Sequence, residues 1–554
     1  VRSRSKNAIT FSNTNQGEKL FAGSSMDMSR AASVLQHFGK RQLFSRLVIA
    51  IACGCGTVRQ TAADSLRTLG VLFVSFSLIA CNEGVLPTTS LPVCGQVVRP
   101  GPELGSGVDA SDATDSGDAS GSIDTDGPSS LRAAWPSFGH DYANTRSAEE
   151  RLIGPANVAD LTPKWGFCGR AVTSTPAVVD ENVYFSDWSG SLFARRVADG
   201  SAVWSTSLQD GMLSPSAFVS NDTVYIAGDA AMVHAVDRRS GVRRWSARVE
   251  TTSNSRIWSS PVVIDTTLII GVGSYQSFAP ATPPFRGSVV ALDTVSGSEK
   301  WRLWVAEEGE VGVSVWSSAA LDTARKLAFI GTGQSFSRPV SPLSDSLLAI
   351  DYERGTLAWS RQFTANDTFS IDESGPDFDV GASPNLFVVG TAELVGVGDK
   401  GGRYFALDRD TGAIVWERQL TEGSAIGGVE TTTAYADGNI YVVSNTGIAG
   451  SGADTMPSGC RAFAIRAADG ESVWETPLSV GSLGGVAVAN GVMYFTTAEG
   501  TLHALATDDG RELYRTRIGF SAAGGPSIAN GLLFVGYGWD WKQGPPGGLM
   551  VYGL

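Results

Sequence analysis

Cysteine and histidine are scarce in this 554-residue chain, which has six cysteines (Cys53, Cys55, Cys81, Cys94, Cys168, Cys460) and four histidines (His37, His140, His234, His503). No C-x-x-C-H is present, which excludes covalent haem. The histidines show no metal-ligand spacing and read as structural. Charge is sparse too: 18% of residues are Asp, Glu, Lys or Arg, and the net charge is −14. No basic stripe exists to neutralise phosphates, so nucleic acid is excluded as a partner. There is no G-x-S-x-G nucleophile elbow and no zinc-protease motif. One G-x-G-x-x-G occurs, Gly396 to Gly401. It falls between strands rather than before a helix, so it is not a dinucleotide site.

What the chain has is a repeat. Ala, five residues, Gly, three residues, Trp recurs as Ala194/Gly200/Trp204, Ala235/Gly241/Trp245, Ala291/Gly297/Trp301, Ala349/Gly355/Trp359, Ala406/Gly412/Trp416, Ala464/Gly470/Trp474 and Ala504/Gly510, with Tyr514 in the last Trp place. A supersecondary unit repeated every ~40–50 residues means a propeller or a solenoid. Apolar residues alternate by two, as in Thr223–Ala227 and Met232–Val236, and Gly/Asp/Asn turns separate the runs. That is the period of strands, not helices. Four such strands make one antiparallel blade. The Ala strand packs closely, and the Trp one hairpin later lies against the neighbouring blade.

The fold class is therefore all-β, an eight-bladed β-propeller over 132–554, with seven blades the alternative count. After Tyr514 three strands remain before the chain stops, and Leu161–Phe167 is an orphan strand carrying Trp165. The N-terminal strand is expected to complete the last blade, which removes exposed edges. Cys168 and Cys460 lie inside the ring, and their pairing is open; export would permit it.

Ahead of the ring, residues 69–80 form an apolar run behind Arg67. At twelve residues it is shorter than the ~20 needed to span a membrane and has the length of a signal-peptide core. Leu78-Ile79-Ala80-Cys81 resembles the bacterial lipobox, with Ala50–Cys53 a weaker candidate. The expectation is a lipoprotein signal at 61–81, with Cys81 lipidated and the protein exported to the periplasm or outer membrane. Residues 1–60 read as outside the mature protein. The stretch 82–131 reads as a disordered acidic Ser/Gly/Asp linker; 101–130 holds seven acidic residues and no basic ones. Asp124–Gly127 lacks the downstream Glu of a calcium loop and reads as linker.

Chemistry concentrates between Gly309 and Trp416, in Val315–Asp322, Gly331-Thr-Gly-Gln334, Gly375–Gly381 and Gly398–Asp408. With Trp135–Arg146 and Phe285–Asp293, these segments resemble the pyrroloquinoline quinone (PQQ)-dependent dehydrogenases, most of all the polyvinyl-alcohol dehydrogenase group, over about 134–554. The Ala–Gly–Trp element is that family's tryptophan-docking repeat and is shared with non-enzymatic propellers. The resemblance implies Trp316, six residues before Asp322, as the floor under the quinone. It implies Asp377 as the general base, with Pro376 where the family has Trp. It implies Lys400 as the cation beside the quinone oxygens, and Arg286 and Asp322 as further cofactor-binding positions. A calcium site would draw on Gln276, Gln334 and Asp377. Here the chain departs from the family, because no acidic residue lies between Asp265 and Asp293 and Gln334 replaces an Asn. The family's adjacent cysteine pair is also missing.

The leading functional reading is oxidation of an alcohol, polymeric or secondary, with PQQ and calcium as cofactors and a separate electron acceptor. The alternative is a non-catalytic propeller lipoprotein that binds protein partners at the outer membrane. The two are separated by whether Trp316, Asp377 and Lys400 converge at the mouth of the central channel.

Overall fold

The computed structural model describes residues 133–554, apart from 280, 371, 450–455 and 540–545. The readings of 1–60, of the signal segment with Cys81, and of the linker lie outside the described residues.

Among the described residues the strands form eight sheets, and these are the eight blades. Blades 1 to 7 occupy 177–207, 218–248, 262–304, 320–362, 385–419, 434–478 and 487–517, each running from inner to outer strand. Blade 8 takes Ser527–Ala529, Leu532–Tyr537 and Pro546–Gly553, and its outer strand is Thr162–Arg170. The early strand pairs antiparallel with the last one, Phe167 opposite Leu549, so the ring closes as expected. Asp437-Gly438, Asn490-Gly491 and Asn530-Gly531 turn the first hairpins of blades 6 to 8, with positive φ at both residues. Short polar residues and glycine tolerate that conformation best.

The repeat works as a peg and socket. Gly355 has φ +71, and a Cβ there would lie 2.5 Å from the ring of Trp301 in the preceding blade. Trp301 Nε1 donates to Tyr352 O at 2.9 Å in the same turn. The same pair of contacts joins Trp204 to Gly241 and Arg238 O, and Trp474 to Gly510 and Thr507 O. Trp165, on the closing strand, docks on Gly200 and donates to Val197 O at 2.8 Å. Tyr514 breaks the pattern for a physical reason. It faces blade 8, whose outer strand is Thr162–Arg170, and its hydroxyl donates to Leu161 O, just ahead of that strand, at 3.2 Å.

A second device closes the centre. Segment 133–148 crosses one end of the channel and bonds the inner edge of every blade. Ala133 pairs with Val179 in blade 1, and Pro136 O accepts from Val219 in blade 2. Tyr142 bonds Val263 and Leu321, Ala143 O accepts from Leu386, and Thr145 O accepts from Tyr435. Arg146 ends the series: its backbone O takes Val488 N, Nε donates to Val486 O at 2.5 Å, and Nη2 donates to Pro526 O at 3.1 Å. The guanidinium is fully buried and lies over Trp135 at 5.4 Å. Burial lowers its pKa to about 9. A layer further along, hydroxyls link blade to blade: Thr175 N to Ser216 Oγ, Ser216 N to Ser260 Oγ, Ser260 N to Ser318 Oγ and Ser318 N to Ser383 Oγ, at 2.8 to 3.0 Å.

Cys168 is disulfide-bonded, whereas Cys460 is a buried free thiol, so the two do not pair with each other.

Gly355 and Gly390 both have left-handed backbone, but nothing lies within 4 Å of a Cβ at Gly390. Both Ala substitutions carry the φ penalty of ~1 kcal/mol. Gly355→Ala is expected to cost a further ~1–3 kcal/mol by overpacking the Trp301 socket, measured as the difference in urea unfolding between the two variants.

Candidate functional site

Each inner strand starts at one end of the channel and finishes at the 133–148 segment. The opposite end opens into a cavity of about 400 Å³. Trp316, Gln334, Asp377, Asp379, Lys400 and Glu430 line its side formed by blades 4 to 6. Trp188, Met212, Trp258, Tyr275, Leu483 and Trp539 are among the residues on the other walls. The cavity is thus charged on one side and largely aromatic or apolar on the other.

Trp316 lies in the loop that leads into blade 4. Its ring is wedged over Gly381, where a Cβ would fall 1.8 Å from it, so only glycine fits beneath the indole. Trp316 Nε1 donates to Asp379 Oδ2 at 3.2 Å, which fixes the ring plane. Lys400 sits in the turn between the second and third strands of blade 5, Ala392–Gly398 and Arg403–Asp408. Its Nζ is 5.6 Å from the Trp316 ring centroid, 2.9 Å from Asp379 Oδ2 and 3.2 Å from Asp377 Oδ2. Lys400 N donates to Asp379 O at 3.0 Å, so backbone and side chain both tie the lysine to the acidic segment.

Asp377 has φ +59, and the Asp367 carboxylate holds it there by accepting from Asp377 N at 3.2 Å and Phe378 N at 2.8 Å. The Asp377 carboxylate is buried, and its Oδ1 has no hydrogen-bond partner. Burial raises its pKa to about 7, against the pull of the Lys400 ammonium. The two carboxylates in turn hold Lys400 well above the usual lysine range, although burial opposes them. Burial also raises Glu430 to about 7 and pushes Asp345 well above the usual range, with Asp379 adding to the effect.

Three of the residues named from sequence therefore converge: Trp316, Asp377 and Lys400. Gln334 joins them, its N donating to Asp379 Oδ1 at 2.7 Å and its Nε2 to Phe369 O at 3.2 Å. Three others do not line the cavity. Asp322 is buried between Arg325 and Arg409, at 3.0 and 3.1 Å, as part of a structural ion network. Arg286 donates to Ala306 O and stacks over Trp304 at 4.6 Å. Gln276 Oε1 is taken by Phe285 N at 2.6 Å. The Trp135–Arg146 segment lies at the far end of the channel and serves the fold. Sequence reasoning missed two residues of the charged wall. Asp379 had a signal, since it stands two residues after Asp377 in the same Pro-Asp-Phe-Asp segment. Glu430, after Gly427-Gly428, carried none.

A flat tricyclic quinone fits these surroundings, with an immobilised indole, one fixed cation and a free carboxylate oxygen around an open space. A divalent cation does not. Among the described residues no three His, Cys, Asp or Glu side chains are placed to hold one. Both oxygens of Asp379 already accept hydrogen bonds.

Comparison with known proteins agrees with the geometry. Residues 251–436 match the family model for the glucose/ethanol/alcohol dehydrogenase β-propeller domain. Residues 461–538 match that for outer membrane protein assembly factor BamB. A polyvinylalcohol dehydrogenase from a Pseudomonas species is 26% identical over 382 residues, covering 62% of this chain and 59% of that protein. One from Sphingopyxis sp. (strain 113P3) is 27% identical, covering 63% and 60%. The chain thus spans about 60% of the length of these relatives. The solved quinohemoprotein alcohol dehydrogenase from Comamonas testosteroni superposes with a TM-score of 0.64 at 20% identity, covering 76% of this chain and 80% of that one.

The folded chain keeps the Asp377 proton up to about pH 7, while the unfolded chain releases it near ~4. The stability this group contributes therefore falls as pH rises between those values. Asp377→Asn, which tolerates the same φ, is expected to match the native chain in melting temperature near pH ~5 and to exceed it near pH ~8. Thermal unfolding at the two pH values checks this.

Proposed function

We propose that this chain, whose residues 251–436 match the glucose/ethanol/alcohol dehydrogenase propeller model, oxidises an alcohol with PQQ bound in the cavity. The observation that carries this reading is the convergence of Trp316, Asp377 and Lys400 on one wall of the channel mouth. Bound PQQ supplies a two-electron acceptor. Trp316 would offer it a flat face, and wall hydroxyls such as those of Thr173 and Thr431 would be donors for its carboxylates. The free Oδ1 of Asp377 accepts the hydroxyl proton of the substrate. The Lys400 ammonium, fixed on the same wall, would stabilise the negative charge that such an acceptor gains. The aromatic wall excludes water from the reacting atoms. Electrons then pass on to a further acceptor. Relatives named as polyvinylalcohol dehydrogenases support a secondary or polymeric alcohol as substrate. Export and lipid anchoring through Cys81 belong to the same proposal, and the disulfide at Cys168 supports an oxidising compartment.

A second reading is favoured by the likeness to BamB, in the family model over 461–538 and in a relative 27% identical over 345 residues. In it the propeller is a protein-binding scaffold at the outer membrane. A scaffold gives no reason for a desolvated lysine and aspartate pair beside an open cavity.

Purified protein supplied with PQQ is expected to reduce an artificial dye when alcohol is added; no quinone binding at high micromolar concentration would favour the scaffold. In the active protein kcat/KM should rise with pH through about 7, as Asp377 ionises. Asp377→Asn should lower the rate by ~10²–10⁴-fold and abolish that limb.

A further inference from the structure

The cation that a quinone pocket needs is already part of this polypeptide. We infer that the pocket is built around the Lys400 ammonium in place of a divalent metal ion, and that PQQ binds here without calcium or a lanthanide. The inference rests on the PQQ reading above.

Calcium takes six to eight oxygen ligands, several of them carboxylate. The wall cannot supply them. Asp379 Oδ1 accepts from Gln334 N, and Oδ2 from Trp316 Nε1 and Lys400 Nζ. Asp377 Oδ2 faces Lys400, which leaves Oδ1 as the one unpartnered oxygen of the aspartate pair. Gln276, at the position the family resemblance gave to a ligand, is spent on Phe285 N outside the cavity. A metal ion within bonding distance of both aspartates would also sit against the lysine ammonium, where like charges repel strongly in a desolvated site.

Lys400 is not free to move aside. Its N–H is bonded to Asp379 O, and its carbonyl accepts from Ser424 N at 3.2 Å. Gly428 packs so closely on that carbonyl that a Cβ would lie 2.4 Å away. The surplus acidity of the pocket does not call for a metal either. Asp367 is committed to two backbone N–H groups, and among the described residues no three carboxylates, Glu430 and Asp345 included, converge on one point. An ammonium held in this way is a permanent positive charge, and it needs no metal uptake to become active.

Two measurements on the full chain, dialysed against a chelator, test this. In the first, PQQ is titrated against tryptophan fluorescence with chelator, then with calcium chloride or lanthanum chloride. The expected dissociation constants agree within about twofold, and tightening of about tenfold or more on adding metal overturns the inference. Absence of quinone binding in every condition instead removes the PQQ reading, and the second measurement then decides the metal question alone. In it, terbium(III) chloride is added and tryptophan-sensitised emission recorded. The native chain is expected to give no emission that depends on Trp316, whereas Lys400→Ala, with both aspartates released, is expected to gain it. Emission from the native chain that is lost in Trp316→Phe overturns the inference whether or not Lys400→Ala folds.

Discussion

The packing of one indole on the glycine turn of the next blade is the contact from which the rest of this molecule follows. A Trp on an outer strand fills the space left by a missing Cβ, and its Nε1 bonds a carbonyl of the same turn. The contact sets the distance and tilt between neighbouring sheets, and repetition turns that setting into a closed ring. Closure brings eight inner strands to one axis. One end of that axis is sealed by 133–148, so the cavity is left at the other. The site residues sit in loops that a rigid ring positions, which is how a scaffold of short strands can hold a desolvated charge cluster in place.

The architecture was legible because its signal is local and repeated. The Ala, Gly and Trp of each copy lie on adjoining strands, so their spacing is fixed by hairpin geometry and survives variation elsewhere. The exception, Tyr514, lies at the junction with blade 8, the blade completed by the orphan strand. The hub could not be read the same way. Segment 133–148 makes its bonds to residues up to 380 positions away, through Arg146 and Pro526, and no periodicity announces such contacts. The conspicuous motif at Trp135–Arg146 thus belongs to the closed end of the ring rather than to the site.

The site was legible in part, and the misses have geometric causes. Trp316, Asp377 and Lys400 each lie in a loop at the open end of the channel. Asp322 follows Trp316 by six residues, and an extended chain covers ~20 Å in that distance, so it reaches the closed end. Arg286 precedes the third strand of blade 3, Ser288–Asp293, and turns to the outer strand at Trp304. Proximity in a motif does not give side-chain direction. Glu430 was invisible for the opposite reason: its segment matches no pattern, and only the folding of 424–428 onto the Lys400 turn brings it to the wall. What the assembled wall adds is electrostatic. One lysine is held between two buried aspartates, burial raises the pKa of Asp377 to about 7, and Asp377 Oδ1 is left without a partner beside the cavity. That combination is costly in a purely structural core and suited to moving a proton.

The most direct measurement of the central claim is a crystal structure of the chain soaked with PQQ. The account predicts the tricyclic ring parallel to Trp316, with the Lys400 ammonium at the quinone oxygens and Asp377 Oδ1 facing the reactive carbon. A quinone bound elsewhere on the propeller, or a channel mouth that stays empty at saturating quinone, would contradict it.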